Sequence, residues 1–174
     1  TFDTGAGVNA ITDSLANAYG LELLDANATA TGVASSAGRY AVAKELKLGN
    51  ITVKDVPFYV IDISSHHEEA DKYINVLEFV VGSELMLQLK DVALDFAAKE
   101  IQVPRIPAEP SDVRPNMCFS SGMNLLTAAE VNQQPMLIKL DSGDASYGWL
   151  NKAFFEANKD YLISHCQSDT INQA

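Results

Sequence analysis

A mostly β fold in two unequal lobes is the architecture this sequence predicts, and three observations carry the prediction. From Ala28 to Asp62 the residues alternate or run apolar and β-branched, and Gly49-Asn50 supplies a hairpin turn between two such runs. Short segments of helical period, ITDSLANAYG, SELMLQLK and LNKAFFEANKDYL, are set between strand-like stretches and do not dominate. A tripeptide of acid, hydroxyl residue and glycine occurs twice, in FDTGAG at Phe2 and LDSGDA at Leu140. The copies are too far apart for one supersecondary unit, so they mark duplicated lobes and not a solenoid.

The elements follow in order. Ile11, Leu15, Ala18 and Tyr19 share one face of a short helix, with Thr12 or Asp13 as its N-cap and Gly20 as its stop. GRYAVAKELKLG and ITVKDVPFYVID read as strands, and Gly32 to Gly38, with Ser35 and Ser36 between, as the tip of a mobile β-loop. ISSHHEEADKYIN is polar and reads as a surface loop. Its adjacent His66 and His67 point apart and make a poor chelating pair, so no metal is expected there. LEFVVG is a buried strand ending in glycine, SELMLQLK a helix with Ser83 as N-cap, and Val92, Leu94 and Phe96 alternate in a further strand. PRIPAEPSDVRP carries four prolines in a polar setting and reads as an extended linker. These signals divide the chain into a first lobe (1–103), a linker (104–115) and the start of a second lobe (116–174). In the second lobe two or three strands precede a helix through Leu150, Ala153, Phe154, Ala157 and Tyr161.

Composition narrows the function. With 174 residues the chain can build one core or two small lobes, and a net charge of -11 repels nucleic acid and anionic membrane. No apolar run approaches the roughly 20 residues that span a bilayer, so membrane insertion is not expected. Cys118 and Cys166 are too few for a disulfide scaffold, and whether they pair is left open.

The chemistry lies in the repeat. If the duplicated lobes face one another, Asp3 and Asp141 meet at the axis between them. Two carboxyls at hydrogen-bond distance cannot both ionise cheaply near neutrality, so they share a proton. One then accepts a proton from water while the other donates to an amide carbonyl, which is hydrolysis by general acid and base with no covalent intermediate and no cofactor. Thr4 and Ser142 supply hydroxyls that can brace the loops across the interface, and Gly5 and Gly143 allow close backbone approach beside the acids. Either tripeptide alone is an ordinary turn sequence. Two copies in the same context are not.

The first hundred residues resemble a retropepsin-like aspartic protease lobe of the pepsin clan. Asp3-Thr4-Gly5-Ala6 is similar to the family's catalytic motif, GVASSAGRYAVAKELKLGNITVKDVPFYVID to its flap and following strands, and Val80-Val81-Gly82 to its hydrophobic-hydrophobic-Gly motif. The bacterial two-lobed members are the nearest likeness, with Leu140-Asp141-Ser142-Gly143 as the second catalytic loop. The resemblance implies closed-barrel lobes with short helices, Asp3 and Asp141 as the catalytic pair, and a flap of Ser35, Ser36, Ala37 and Gly38 closing over a peptide or protein substrate. It further implies a secreted, periplasmic or cell-surface location. Only Thr1 and Phe2 precede Asp3, and the second half lacks its own flap, so the chain reads as part of a longer precursor with its second lobe incomplete. An open sheet edge of that kind invites a homodimer or a strand-swapped assembly. Asp144 stands where the family carries a small residue, and this motivates the alternative of a catalytically inactive, protease-like peptide-binding module.

Overall fold

The computed structural model of the protein describes residues 1–31, 35–61, 78–106, 116–144 and 148–166. These residues are mostly β. Five strands form one sheet in the order β2-β3-β4-β1-β5. They are β1 (Ala10–Thr12), β2 (Glu22–Thr31), β3 (Ser35–Leu48), β4 (Ile51–Ile61) and β5 (Phe79–Val80). Strand β1 runs parallel to β4 and antiparallel to β5, so the segment leaving the first acidic loop passes through the interior of the sheet. Strands β6 (Ala93–Asp95) and β7 (Glu100–Gln102) form a two-stranded hairpin. Strands β8 (Met117–Phe119), β9 (Leu125–Val131) and β10 (Gln134–Lys139) form an antiparallel sheet in the order β10-β9-β8. Each of these sheets is open among the described residues, so the strand pairing does not close a barrel there.

The hydrophobic core belongs to the five-stranded sheet. Ile11, Val56, Phe58 and Leu85 are its largest fully buried apolar side chains, and Phe58 meets Phe79 with ring centroids 5.3 Å apart. The β3–β4 hairpin forms because apolar residues at alternate positions of β4 face this core while Gly49 takes the positive φ that its two-residue turn requires.

The first helix, α1 (Asp13–Ala18), starts later than its apolar spacing suggests. The Thr12 side chain accepts from the Leu15 N–H and caps the helix, which leaves Ile11 in β1. Ala16 is the residue α1 buries, and Tyr19 is 71% exposed at its end, off the core face. Helix α2 (Ser83–Leu89) has Gly82 and not Ser83 at its N-cap. The Ser83 hydroxyl donates instead to the Thr4 carbonyl at 3.2 Å, so this residue ties the helix to the acidic loop. The β6 strand is confined to three residues, leaving Val92 before it and Phe96 77% exposed in the following turn.

Ser35, Ser36, Ala37 and Gly38 are strand residues of β3, paired with Thr31, Ala30, Thr29 and Ala28 of β2, where the sequence suggested a loop tip. A two-stranded ribbon satisfies the backbone groups that an irregular loop would leave to solvent. Gly38 is required there, since a Cβ would lie 2.6 Å from the Tyr59 ring. His66 and His67, with the rest of 62–77, and positions 107–115 of the proline-rich segment lie outside the described residues.

The third helix, α3 (Lys152–His165), is capped by the Asn151 side chain, which leaves Leu150 outside it and exposed. The helix docks through a buried polar residue. Asn158 donates to the Gln134 side chain at 3.0 Å and to the Phe154 carbonyl at 3.0 Å, and it accepts from Asn132 at 3.2 Å. Cys118 and Cys166 are exposed free thiols. Among the described residues no helix is long and apolar enough to cross a membrane.

Candidate active site

Both acidic tripeptides lie in turns held at the ends of strands. The first is braced by the hydrophobic-hydrophobic-Gly segment: the Asp3 N–H donates to the Val81 carbonyl at 2.9 Å, and the Val81 N–H donates to Thr1 at 2.8 Å. The Ser83 N–H reaches the Ala6 carbonyl at 2.8 Å. Gly82 has no room for a side chain, because a Cβ would press into the Val8 and Ala6 carbonyls. Buried Asn9 completes the brace by accepting from the Gly82 N–H at 3.0 Å and donating to the Pro57 carbonyl at 3.1 Å. The second tripeptide leaves β10, and the Leu140 N–H anchors it to the Leu125 carbonyl at 2.9 Å.

The two loops then lock onto each other with twofold reciprocity. The Thr4 N–H donates to Ser142 Oγ at 3.0 Å, and the Ser142 N–H donates to Thr4 Oγ1 at 3.0 Å. Each hydroxyl also donates past its partner, Thr4 to the Leu140 carbonyl at 2.9 Å and Ser142 to the Phe2 carbonyl at 2.8 Å. Four hydrogen bonds thus fix the loops at one separation. Replacing Thr4 by Val keeps the shape but removes both hydroxyl bonds, leaving the Ser142 N–H and the Leu140 carbonyl without their partner. The expected result is a loss of stability of about 1–3 kcal/mol, read by chemical denaturation, with Ser142→Ala showing the same direction.

The consequence is that Asp3 and Asp141 meet within one chain and share a hydrogen bond. Each loop's glycine lies against the opposite carboxyl. A Cβ on Gly5 would overlap the Asp141 carboxyl, and one on Gly143 would stand 2.5 Å from Asp3 Cγ. The carboxylates are oriented by their own loops: Asp3 Oδ1 accepts from the Gly5 N–H at 2.7 Å and the Ala6 N–H at 3.2 Å, and Asp141 Oδ1 accepts from the Gly143 N–H at 3.0 Å.

The electrostatics of the pair are not symmetric. Burial pushes the Asp3 pKa above the ordinary 3.8, and the hydrogen bond and negative charge of Asp141 add to that rise against the opposing pull of the Gly5 and Ala6 N–H groups. Burial acts in the same direction on Asp141 but is outweighed. The Lys139 ammonium, 3.1 Å from Asp141 Oδ2, the hydrogen bond from Asp3 and the Gly143 N–H together bring Asp141 below 3.8.

A cavity of about 420 Å³ lies alongside the first loop, lined by Gly7, Val8, Tyr40, Pro57, Glu84 and Met123. It draws walls from the segment after the acidic loop, from β3 and β4, from α2, and from the turn before β9. Burial raises the Glu84 carboxyl pKa there. Among the described residues no group of three or more His, Cys, Asp or Glu side chains is arranged to hold a metal ion.

The structure therefore brings together Asp3, Thr4, Gly5, Asp141, Ser142 and Gly143. Ser35, Ser36, Ala37 and Gly38 belong to the β2–β3 ribbon, where they pair with Thr31, Ala30, Thr29 and Ala28. Three residues that sequence reasoning did not assign to the site contribute: Asn9, Ser83 and Lys139. Asn9 is a polar residue inside the apolar run GVNAIT, and Lys139 is a charge at the end of the apolar strand MLIK, and both anomalies are visible in the sequence. Nothing local in the sequence marks Ser83 as a loop brace.

The family model for aspartyl proteases matches residues 1–82. The matched span contains the first acidic loop and ends at Gly82. No curated protein and no solved structure matches the chain.

Proposed function

We propose, for a chain whose residues 1–82 match the aspartyl protease family model, an aspartic endopeptidase whose acid and base are Asp3 and Asp141. One observation carries the proposal: two acidic loops, far apart in sequence and locked together by reciprocal Thr4 and Ser142 hydrogen bonds, present two carboxyls that share a hydrogen bond.

Asp141, the carboxyl held more acidic, is the base, and Asp3, the carboxyl held less acidic, is the acid. A water between them gives a proton to the Asp141 carboxylate as its oxygen bonds to the carbonyl carbon of the scissile amide. Asp3 passes its proton to the carbonyl oxygen, which yields a neutral gem-diol. In the second step a gem-diol hydroxyl returns a proton to the Asp3 carboxylate while Asp141 protonates the amide nitrogen. The C–N bond breaks to release acid and amine, and the pair is left with one proton, as at the start. The reaction needs one proton on the pair, so the rate is expected to fall below the lower titration step and above the upper one.

The substrate is a peptide lying extended along the β2–β3 ribbon, its main chain pairing as an added strand and a flanking side chain entering the cavity beside Gly7 and Val8. Incubation of the protein with an unstructured polypeptide at acidic pH tests the reading. Cleavage blocked by a pepstatin-like transition-state analogue is expected. Binding of peptide or inhibitor without cleavage would instead support the inactive peptide-binding module, and neither binding nor cleavage would overturn both.

A further inference from the structure

The two acidic loops match each other bond for bond in their mutual lock, and they differ at the position two residues before each acid. Before Asp3 that position is Thr1; before Asp141 it is Lys139, the last residue of β10. The strand places alternate side chains on its more exposed face, and Lys139 is one of these. Its ammonium stands 3.1 Å from Oδ2 of Asp141, while the Gly143 N–H occupies Oδ1. Lys139 is thus the one cation among the described residues that pairs with either acid.

Resting on the endopeptidase reading above, we propose that Lys139 is a positioning residue for catalysis: it holds the negative charge on Asp141 and so assigns the shared proton to Asp3, fixing which acid acts as base. A symmetric pair has no such preference, because either carboxyl can keep the proton. An opposite charge within hydrogen-bond distance favours the ionised form of the group it touches. The direction of the Asp141 shift agrees with the geometry.

The other charged groups around the pair do not supply this bias. Asp3 faces Asp141 directly and shares its hydrogen bond. Asp144, in the same loop, donates its backbone N–H to the Asp141 carbonyl at 3.3 Å, and a carboxyl there opposes a negative charge on Asp141. Asp95, Lys99 and Glu100 of the β6–β7 hairpin line a separate cavity with Phe2 and Ser142, and Glu84 on α2 faces the cavity at Gly7. None of these four forms an ion pair with Asp3 or Asp141. The Lys139 and Asp141 side chains are 44% and 28% exposed, so water and salt weaken the pair without abolishing it.

The test compares the pH dependence of kcat/KM in wild type, Lys139→Met and Lys139→Arg, with the Asp141 carboxyl followed by carbon-13 NMR titration in the same proteins. In Lys139→Met the acid limb moves to higher pH, and activity at its foot falls roughly 3–10-fold relative to the optimum. Lys139→Arg retains the wild-type profile, and 1 M salt moves wild type toward the Met variant. The Asp141 titration midpoint rises in parallel. An unchanged acid limb and midpoint in Lys139→Met, or an equal change in Lys139→Arg, overturns the proposal. The NMR titration needs no turnover, so it decides the role of Lys139 even if the chain cleaves nothing and the endopeptidase reading fails. Lys139→Gln, measured in the same way, replaces the Met variant if that protein does not fold.

Discussion

Replacing Asp141 with Asn is expected to lower kcat/KM by about a thousandfold while leaving the fold and substrate affinity near wild type. Asn keeps the volume of the side chain and can still meet the Asp3 carboxyl and the Gly143 N–H, so the loop lock between Thr4 and Ser142 has no reason to open. What Asn cannot do is accept a proton from water, and general-base assistance is worth about 10²–10⁴ in rate. A steady-state assay that separates kcat from KM checks this, together with thermal unfolding to show that the variant is native. Retained activity would remove Asp141 from the chemistry and would point to Asp3 pairing with a copy of itself from another molecule.

The second large effect comes from a methyl group. Gly5→Ala places a Cβ inside the volume of the Asp141 carboxyl, and the backbone N–H beside it is the one that orients Asp3 at 2.7 Å. Neither loop can yield independently, since the four hydrogen bonds between Thr4 and Ser142 and their neighbouring carbonyls fix their separation. The carboxyls are therefore forced apart, and displacement of a catalytic group by about 1 Å costs on the order of 100-fold in kcat. Gly143→Ala repeats the experiment from the other side, against Asp3. If both variants keep kcat, the carboxyls do not act as a contiguous pair.

Much of this site is legible in the sequence because it is written in short, chemically unusual words. Two acid-hydroxyl-glycine tripeptides and Val80-Val81-Gly82 identify the pieces without any knowledge of distance. The β3–β4 hairpin is legible for a similar reason, since Gly49-Asn50 lies between two runs of strand-forming residues. Three readings fail where tertiary contacts override local preference. Ile11 has the spacing of a helix face but is drawn into β1 by pairing with β4, and the capping bond at Thr12 sets the boundary. Ser83 has the chemistry of a cap but spends its hydroxyl on Thr4. Small residues at Ser35 to Gly38 look like a loop, yet the facing small residues of β2 give them a partner strand. The charge asymmetry of the site was also beyond local reading, because the reach of Lys139 depends on where β10 ends relative to the acidic turn.

The measurement closest to the central claim is the carboxyl titration of Asp3, followed by carbon-13 NMR in the wild-type protein and in Asp141→Asn. The account predicts an Asp3 midpoint above 3.8 in wild type that falls in the variant, because the neighbouring negative charge is gone while the burial and the Gly5 and Ala6 N–H groups remain. An Asp3 midpoint that is the same in both proteins would show that the two acids do not hold a proton in common, and would contradict the account.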